Sequence, residues 1–476
     1  MIYDYLVIGS GAGGSAAAYR LAETGRSVLL VEKGEALPTD GSTLDFRQVM
    51  GDGRFKSREN WLDRKNRPFA PEEYFNLGGK TKWYGAALLR FDPREFEADP
   101  AFRCPAWPIA YPELEPWYAQ AEELLGLREF PVEPDLLDIQ RKIERPGGWR
   151  SRPLPLALKP EIREYEAEAR HFDGFASLRG LKADGQNALL ARVAQRDTLT
   201  VTLGRPVREL LGDDADPRHI VGVRLADGQV HRADQILLAA GALHSPRLLQ
   251  RYLAAHDLIG TLPGTRSVGR HFKRHILTAL VAVSPTRKTD VLRKTALWLH
   301  EDFPHGSIQP LGFGADVLAS LLPHRVPRPL ALAFGTRAYG FFLQTEDGSH
   351  ADNRVLAEAG GRPPQLDYDT ARLPEAEREH GAMVKSFRRA LFKAGYPSVT
   401  RPIPLAGTAH ACGTLVSGDD PARSAVDRHG KVHGLENLYV ADGSILPRIG
   451  RVNPALTIYA WALRLADHLI AGPMKR

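Results

Sequence analysis

Three residues near the end of the chain have side chains suited to proton transfer or to holding charge. His410 sits in Thr408-Ala-His-Ala-Cys412-Gly-Thr414 among small neighbours; Asp442 closes Leu438-Tyr-Val-Ala-Asp-Gly443; Asn453 precedes Pro454 in Asn-Pro-Ala455-Leu-Thr. An imidazole titrates near neutrality and can take a proton from a substrate hydroxyl. A carboxylate at the end of a strand can hold ribityl or phosphate hydroxyls, and a carboxamide can donate to developing negative charge. Each residue also has a plainer reading. His410 could be structural, Asp442 a turn residue, and Asn453 the N-cap of a final helix. The structural reading is kept for His271, His275, His429, His433 and His468. Cys104 and Cys412 stand alone, without metal-ligand spacing, and Cys412 reads as a small buried side chain.

At the other end, Gly9-Ser-Gly11-Ala12-Gly-Gly14 carries the G-x-G-x-x-G pattern. Gly9 allows the tight turn, Gly11 lets a pyrophosphate reach the backbone, and Gly14 lets helix pack on strand. The helix N-terminus favours phosphate charge. Glu32 follows Gly14 by eighteen residues and ends the next apolar run, where a carboxylate accepts from adenosine ribose hydroxyls. This predicts a bound dinucleotide and leaves NAD and FAD both open. Gly78-Gly79 begins a second glycine-rich loop that can lie against a ring or a phosphate. Ala239-Ala240-Gly241-Ala-Leu-His-Ser245-Pro246 reads as a strand-to-helix turn with Ser245 as N-cap.

The elements that position these residues follow from periodicity. Tyr5–Ile8, a helix over Ala12–Thr24 and Ser27–Glu32 form one β-α-β unit, with Gly25 as helix stop. Residues 95–180 are rich in Pro, Trp and Tyr, which predicts short capped helices and extended links. Strands return at Thr198–Leu203, Ile220–Leu225, Gln229–Arg232 and Ile236–Ala240, with Ala226-Asp-Gly228 as a hairpin turn. A Pro-rich loop is expected at Leu322–Pro329, an amphipathic helix at Pro374–Ala394 and a last helix at Pro454–Ile470. The interleaving predicts an α/β (α+β overall) protein. A discontinuous Rossmann-like domain comes from 1–95, 181–275 and 405–476. Segments 96–180 and 276–404 form a mixed second domain of sheet plus helices over it.

The 476 residues carry a net charge of +6, with arginines spread rather than clustered. That argues against nucleic-acid binding. No apolar run is long enough to span a bilayer, and the N-terminus enters a strand directly without an export signal. Together with two widely spaced cysteines, this predicts a cytoplasmic protein.

In their order, these strings resemble the glucose-methanol-choline (GMC) oxidoreductase family. Tyr5–Glu32 resembles its FAD fingerprint, and Gly78-Gly79-Lys-Thr81-Lys-Trp83-Tyr84-Gly85-Ala86 its first signature loop. Gly241–Leu249 resembles its second signature, and Val268–His275 the segment that follows. His410–Thr414, Asp420-Pro421, Asn437–Gly443 and Asn453–Thr457 resemble its C-terminal block. The resemblance implies FAD and oxidation of an alcohol, with His410 as general base and Asn453 as donor to the alkoxide. It implies cofactor contacts from Gly9, Gly11, Ala12, Gly14, Glu32, Lys33, Gly79, Thr81, Tyr84, Gly85, Ala86, Val207, Ala240, Gly241, Ser245, Asp442, Gly443, Asn453, Pro454 and Ala455, and no metal. Ala455, not Pro454, has the N–H to offer where the last helix begins. Because Trp83 and Tyr84 stand where a covalently linked member carries His, the FAD is expected to be non-covalent. Leu415 and Val416 stand where an Arg is common. Wording around Pro105-Ala-Trp-Pro108 is similar to bacterial members acting on sugars, glycosides or polyols. The partner expected is a small-molecule alcohol or sugar. The alternatives are a flavin-retaining lyase, an NAD-dependent dehydrogenase and a non-enzymatic assembly subunit.

Overall fold

The computed structural model describes residues 1–320, 322 and 325–472. Its first sheet is ordered Leu199–Thr202, Val28–Val31, Ile2–Ile8, Val230–Leu238, Ile220–Leu225, Val207–Gly212, with Leu438–Val440 also on Val230–Leu238. The five strands around Ile2–Ile8 run parallel; Val7 lies between Leu30 and Leu237. Leu6, Val7, Leu29, Leu30, Leu237 and Leu238 are fully buried. Burial on both faces explains why these strands read as continuous apolar runs. The helix Ala12–Glu23 packs against the last helix, Ala455–Ala471.

The second sheet is ordered Ser398–Pro402, Lys273–Val283, Ala338–Glu346, Gly306–Pro310, Ala296–Leu299, Arg150–Pro153, all antiparallel. The short strand Ala411–Cys412 lies against the start of Lys273–Val283, with Arg274 opposite Ala411. This register brings the residues flanking that pair, His275 and His410, together. A small third sheet joins Trp61–Asp63 and Pro68–Phe69 to Arg354–Leu356 and Gln365–Asp367.

Several expectations are corrected. Gln229–Arg232 and Ile236–Ala240 are one strand, Val230–Leu238. Its first half pairs with Ile220–Leu225 across the predicted hairpin, while its other edge runs along Ile2–Ile8. The segment 95–180 holds longer helices than its prolines suggest. Tyr111–Leu125 continues through Pro116 because Tyr118 and Trp117 anchor it on the last helix, at Thr457 (2.7 Å) and Asp467 (2.8 Å). Of the expected loop Leu322–Pro329, Pro323 and His324 lie outside the described residues, and a helix, Arg328–Gly335, begins within it. The long amphipathic helix spans Pro374–Lys393.

Candidate active site

The glycine turns at Gly9 and Gly241 follow the carboxyl ends of the parallel strands Ile2–Ile8 and Val230–Leu238, the edge at which open α/β sheets bind their ligands. There Ala239 N donates to Ile8 O and Ala441 N to Leu238 O, drawing three strand ends together. The glycines divide into two kinds. A Cβ at Gly13 would lie 1.8 Å from Ala441 O, at Gly14 1.8 Å from Gly9 O, and at Gly9 (φ +101°) 2.5 Å from Ala239 O. These three seal helix against sheet. A Cβ at Gly11 or Gly241 would meet nothing within 4 Å. Open space therefore lies over Gly11, at the start of the helix Ala12–Glu23, where free backbone N–H groups and the helix dipole suit a pyrophosphate. Gly79 lies across from it, its would-be Cβ 3.1 Å from Gly11 Cα. The residues present fit a flavin dinucleotide.

The acidic residues of this side hold backbone. Glu32 Oε2 accepts from Ser10 N (2.9 Å) and Ser10 Oγ (2.6 Å), and Oε1 accepts from Gly34 N (2.9 Å). Burial pushes its carboxyl up against those bonds. Asp442 differs from the expectation of a ligand-holding carboxylate. Its Oδ2 accepts from Gly241 N (2.8 Å) and Ser245 Oγ, and its Oδ1 from Ser444 N (2.9 Å) and Ser444 Oγ. Four donors use its four acceptor sites, so Asp442 clamps the Gly241 turn instead. Ser245 is likewise not an N-cap. His244 occupies that position, and the Ser245 hydroxyl receives Ala240 N (3.1 Å) and donates to Asp442. Gly443 opens a single 3₁₀ turn behind Asp442.

The remaining predicted contacts fall as follows. Thr81 is buried, with its hydroxyl spent on Gly78 O (2.5 Å) and Gly185 N (2.9 Å). Tyr84 donates to Ala183 O (2.7 Å), so its phenol is a tie to the neighbouring segment. Gly85 is half-buried, and Ala86, at φ 49°, is fully buried. Lys33 is exposed, over the Phe75 ring at 3.7 Å and paired with Glu59 at 3.2 Å. Val207 starts an edge strand opposite Leu225. Asn453 is not the N-cap; Pro454 is, and Ala455 is the first helical residue.

On the opposite side, His410 meets a partner that local sequence had left structural. His275 Nε2 lies 2.7 Å from Gly450 O, and His275 Nδ1 lies 2.7 Å from His410 Nδ1. A carbonyl only accepts, so His275 Nε2 carries the hydrogen. Burial lowers the His275 pKa to about 4, so the ring is neutral and its Nδ1 must accept. His410 therefore donates from Nδ1. Burial, then His275, Lys80 and Lys294, hold the His410 pKa well below its usual value, so the ring is neutral. Its Nε2 is left as a bare lone pair, with no protein partner among the described residues. The string Val268–His275 was the signal for His275, since it ends on that residue.

Asn453 is paired too. Its Nδ2 donates to Ala87 O (2.9 Å) and Gln309 Oε1 (3.2 Å), and Gln309 Nε2 returns a bond to Asn453 Oδ1 (3.3 Å). Gln309 comes from the Gly306–Pro310 strand of the second sheet and is buried. No motif marked it. The site thus offers an unprotonated imidazole nitrogen, a carboxamide pair and glycine-rich turns suited to a dinucleotide, which is the equipment of a flavin-dependent alcohol oxidoreductase.

Comparison with known proteins agrees. Residues 4–279 match the model of FAD dependent oxidoreductases, and residues 361–462 match that of GMC oxidoreductases. The chain is 30% identical to 6'''-hydroxyparomomycin C oxidase of Streptomyces lividus and 29% identical to paromamine 6'-oxidase of Streptomyces fradiae. Each match covers 99% of this chain and 92% of the relative. Among solved structures, pyridoxine 4-oxidase from Mesorbium loti superposes with a TM-score of 0.72 at 20% identity, over 99% of this chain and 100% of that one. The chain belongs to the GMC oxidoreductase family of FAD-dependent enzymes. It is an oxidoreductase acting on CH–OH donors. No helix among the described residues is long and apolar enough to cross a membrane.

Proposed function

We propose that His410 is the general base for oxidation of a sugar-type alcohol, with Nε2 as the atom that takes the hydroxyl proton. The observation that carries this reading is the relay from Gly450 O through His275 to His410, which fixes one tautomer and leaves Nε2 unprotonated. Once Nε2 is protonated, the Nδ1–H stays bonded to His275, and the Gly450 carbonyl at the far end of the relay favours the new charge. FAD, when bound, would supply the acceptor for the hydride that leaves the carbinol carbon as the proton leaves its oxygen. Asn453 steadies the substrate oxygen by exchanging its longer bond, to Gln309, for one to that oxygen. Base catalysis of this kind contributes about two to four orders of magnitude in rate.

The backbone around Gly9–Gly14, Gly79, Gly85 and Gly241 would hold the FAD without a covalent bond. In support, the Trp83 indole is spent on Asn76 Oδ1 (2.9 Å) and the Tyr84 phenol on Ala183. Segments 1–95, 181–275 and 405–476 form the cofactor domain in this reading, and 96–180 and 276–404 the substrate domain. What supports the division is that every strand of the first sheet falls in the former set. Strand Lys273–Val283 crosses the boundary, and the third sheet joins the two. A cytoplasmic location is supported by two free, buried cysteines, Cys104 and Cys412. A sugar-type substrate is supported by the names of the two Streptomyces oxidases, whose substrates are aminoglycosides.

The test is the visible spectrum of the purified protein under anaerobic conditions, titrated with sugars, glycosides, aminoglycosides and polyols. We expect an oxidised flavin spectrum that one of these alcohols bleaches. A flavin that no alcohol bleaches, or NADH formation without bleaching, contradicts the reading.

A further inference from the structure

Lys294 and Asp173 form a buried ion pair that the chemistry above leaves unused. Lys294 Nζ donates to Asp173 Oδ2 at 2.7 Å, with the side chains 6% and 10% exposed. The same Oδ2 accepts from Gly312 N at 3.2 Å. Among the described residues, no other hydrogen bond reaches Lys294 Nζ or Asp173 Oδ1. The ammonium therefore has two N–H donors to spare, and the carboxylate one free oxygen.

Both groups lie directly on the backbone of Gly85. A Cβ built there would be 2.4 Å from Asp173 Oδ1 and 2.5 Å from Lys294 Nζ, so only glycine admits the pair at this position. Two residues on, the Ala87 carbonyl holds Asn453. Gln309, the partner of Asn453, lies three residues before Gly312, whose N–H holds Asp173. Lys294 is also close enough to depress the basicity of His410. The ion pair and the carboxamide pair thus converge on Gly85–Ala87.

A buried ion pair is weak support for stability, because well-packed apolar residues serve as well or better. A free carboxylate oxygen beside spare ammonium donors can instead read a hydroxyl. The oxygen accepts its O–H while the ammonium donates to its lone pair. We propose that Asp173 and Lys294 form a subsite for a second hydroxyl of the substrate, close to the carbinol being oxidised. This rests on the alcohol-oxidation reading above and assigns two residues to the recognition of a second hydroxyl on its sugar-type substrate.

The experiment compares 1-butanol with 1,2-butanediol and 1,3-butanediol, which present one primary carbinol with and without a second hydroxyl. Anaerobic flavin reduction is measured for the holoenzyme and for Lys294→Met and Asp173→Asn. In the unaltered enzyme, at least one diol should exceed 1-butanol in kcat/KM by about tenfold or more, as expected when a buried polar site is left unpaired. Each variant should bring that ratio within about threefold of unity while keeping the visible spectrum of bound flavin. Removing the Lys294 charge also changes His410, but that acts on all three alcohols alike and cancels in the ratio. A variant that folds poorly lowers all three rates together and leaves the ratio readable. The unaltered enzyme tests the proposal without any variant. It is overturned if 1-butanol matches both diols, if the variants preserve the ratio, or if sugars bleach the flavin and neither diol does. If no alcohol bleaches it, the underlying reading fails first.

Discussion

The two walls of the cleft use polar groups in opposite ways. On the dinucleotide wall, Glu32, Asp442 and Thr81 are spent on neighbouring backbone and serine hydroxyls, and open space lies over the glycine backbone at Gly11 and Gly241. On the substrate wall, polar groups come in pairs that leave one member partly free. His410 keeps a nitrogen, Asn453 holds its second bond loosely, and Lys294 keeps two donors. A cofactor that stays bound needs a rigid mould. A reacting hydroxyl needs groups oriented by a partner yet still able to exchange bonds.

The largest expected effect separates two glycines on the dinucleotide wall. Gly13→Ala drives a methyl to within 1.8 Å of the Ala441 carbonyl and should destabilise by on the order of 3 kcal/mol, with loss of bound flavin. Gly11→Ala meets open space and should cost the apo fold about 1 kcal/mol at most, while still weakening FAD retention. Thermal midpoints with and without added FAD check both. Equal destabilisation would break the distinction between sealing and ligand-facing glycines.

On the substrate wall, His275→Phe removes the acceptor that sets the His410 tautomer. Flavin reduction should slow about ten- to a hundredfold with FAD content unchanged, which is the usual cost of losing the outer partner that orients an imidazole. Rapid-mixing absorbance measures it, and an unchanged rate would remove His275 from the relay. Gln309→Leu should have a smaller effect, about five- to tenfold in kcat/KM, because a single neutral hydrogen bond is at stake. A loss as large as that of His275→Phe would place Gln309 nearer the chemistry than the comparison allows.

The mildest effect is on stability against pH. Burial holds His271, His275 and His380 at about 3, 4 and 4, below the ordinary 6.5. Between those values and 6.5 the unfolded chain binds protons that the folded one refuses. Their contribution to stability should therefore be full above pH 6.5 and fall as pH drops toward 4. Thermal midpoints from pH 8 to 4.5 check this, and His380→Gln, whose ring nitrogens bond Thr278 and Thr345, should flatten part of the slope.

Much of the dinucleotide wall was legible in the sequence because its determinants are local. Glycine spacing, apolar runs and a strand-ending Glu32 all act within about thirty residues. The substrate wall was legible only in part. The pairs His275–His410, Gln309–Asn453 and Asp173–Lys294 join residues 135, 144 and 121 positions apart. Nothing in a window around Gln309 or Lys294 distinguishes it from an ordinary strand residue. The bond between Asp442 and Ser245 is hidden for a related reason. Each residue's own turn suggests a local role, whereas they bond to one another across 197 positions. Motif order singled out His410 and Asn453 as candidates; the register of Ala411 on Arg274 brings His275 to His410.

The most direct test of the central claim is rapid-mixing anaerobic reduction of His410→Ala beside the unaltered enzyme, using an alcohol that bleaches the latter. We expect the variant to retain FAD with an unshifted visible spectrum and to be reduced about two to four orders of magnitude more slowly. Reduction of a fully loaded variant at the unaltered rate would contradict His410 as the base.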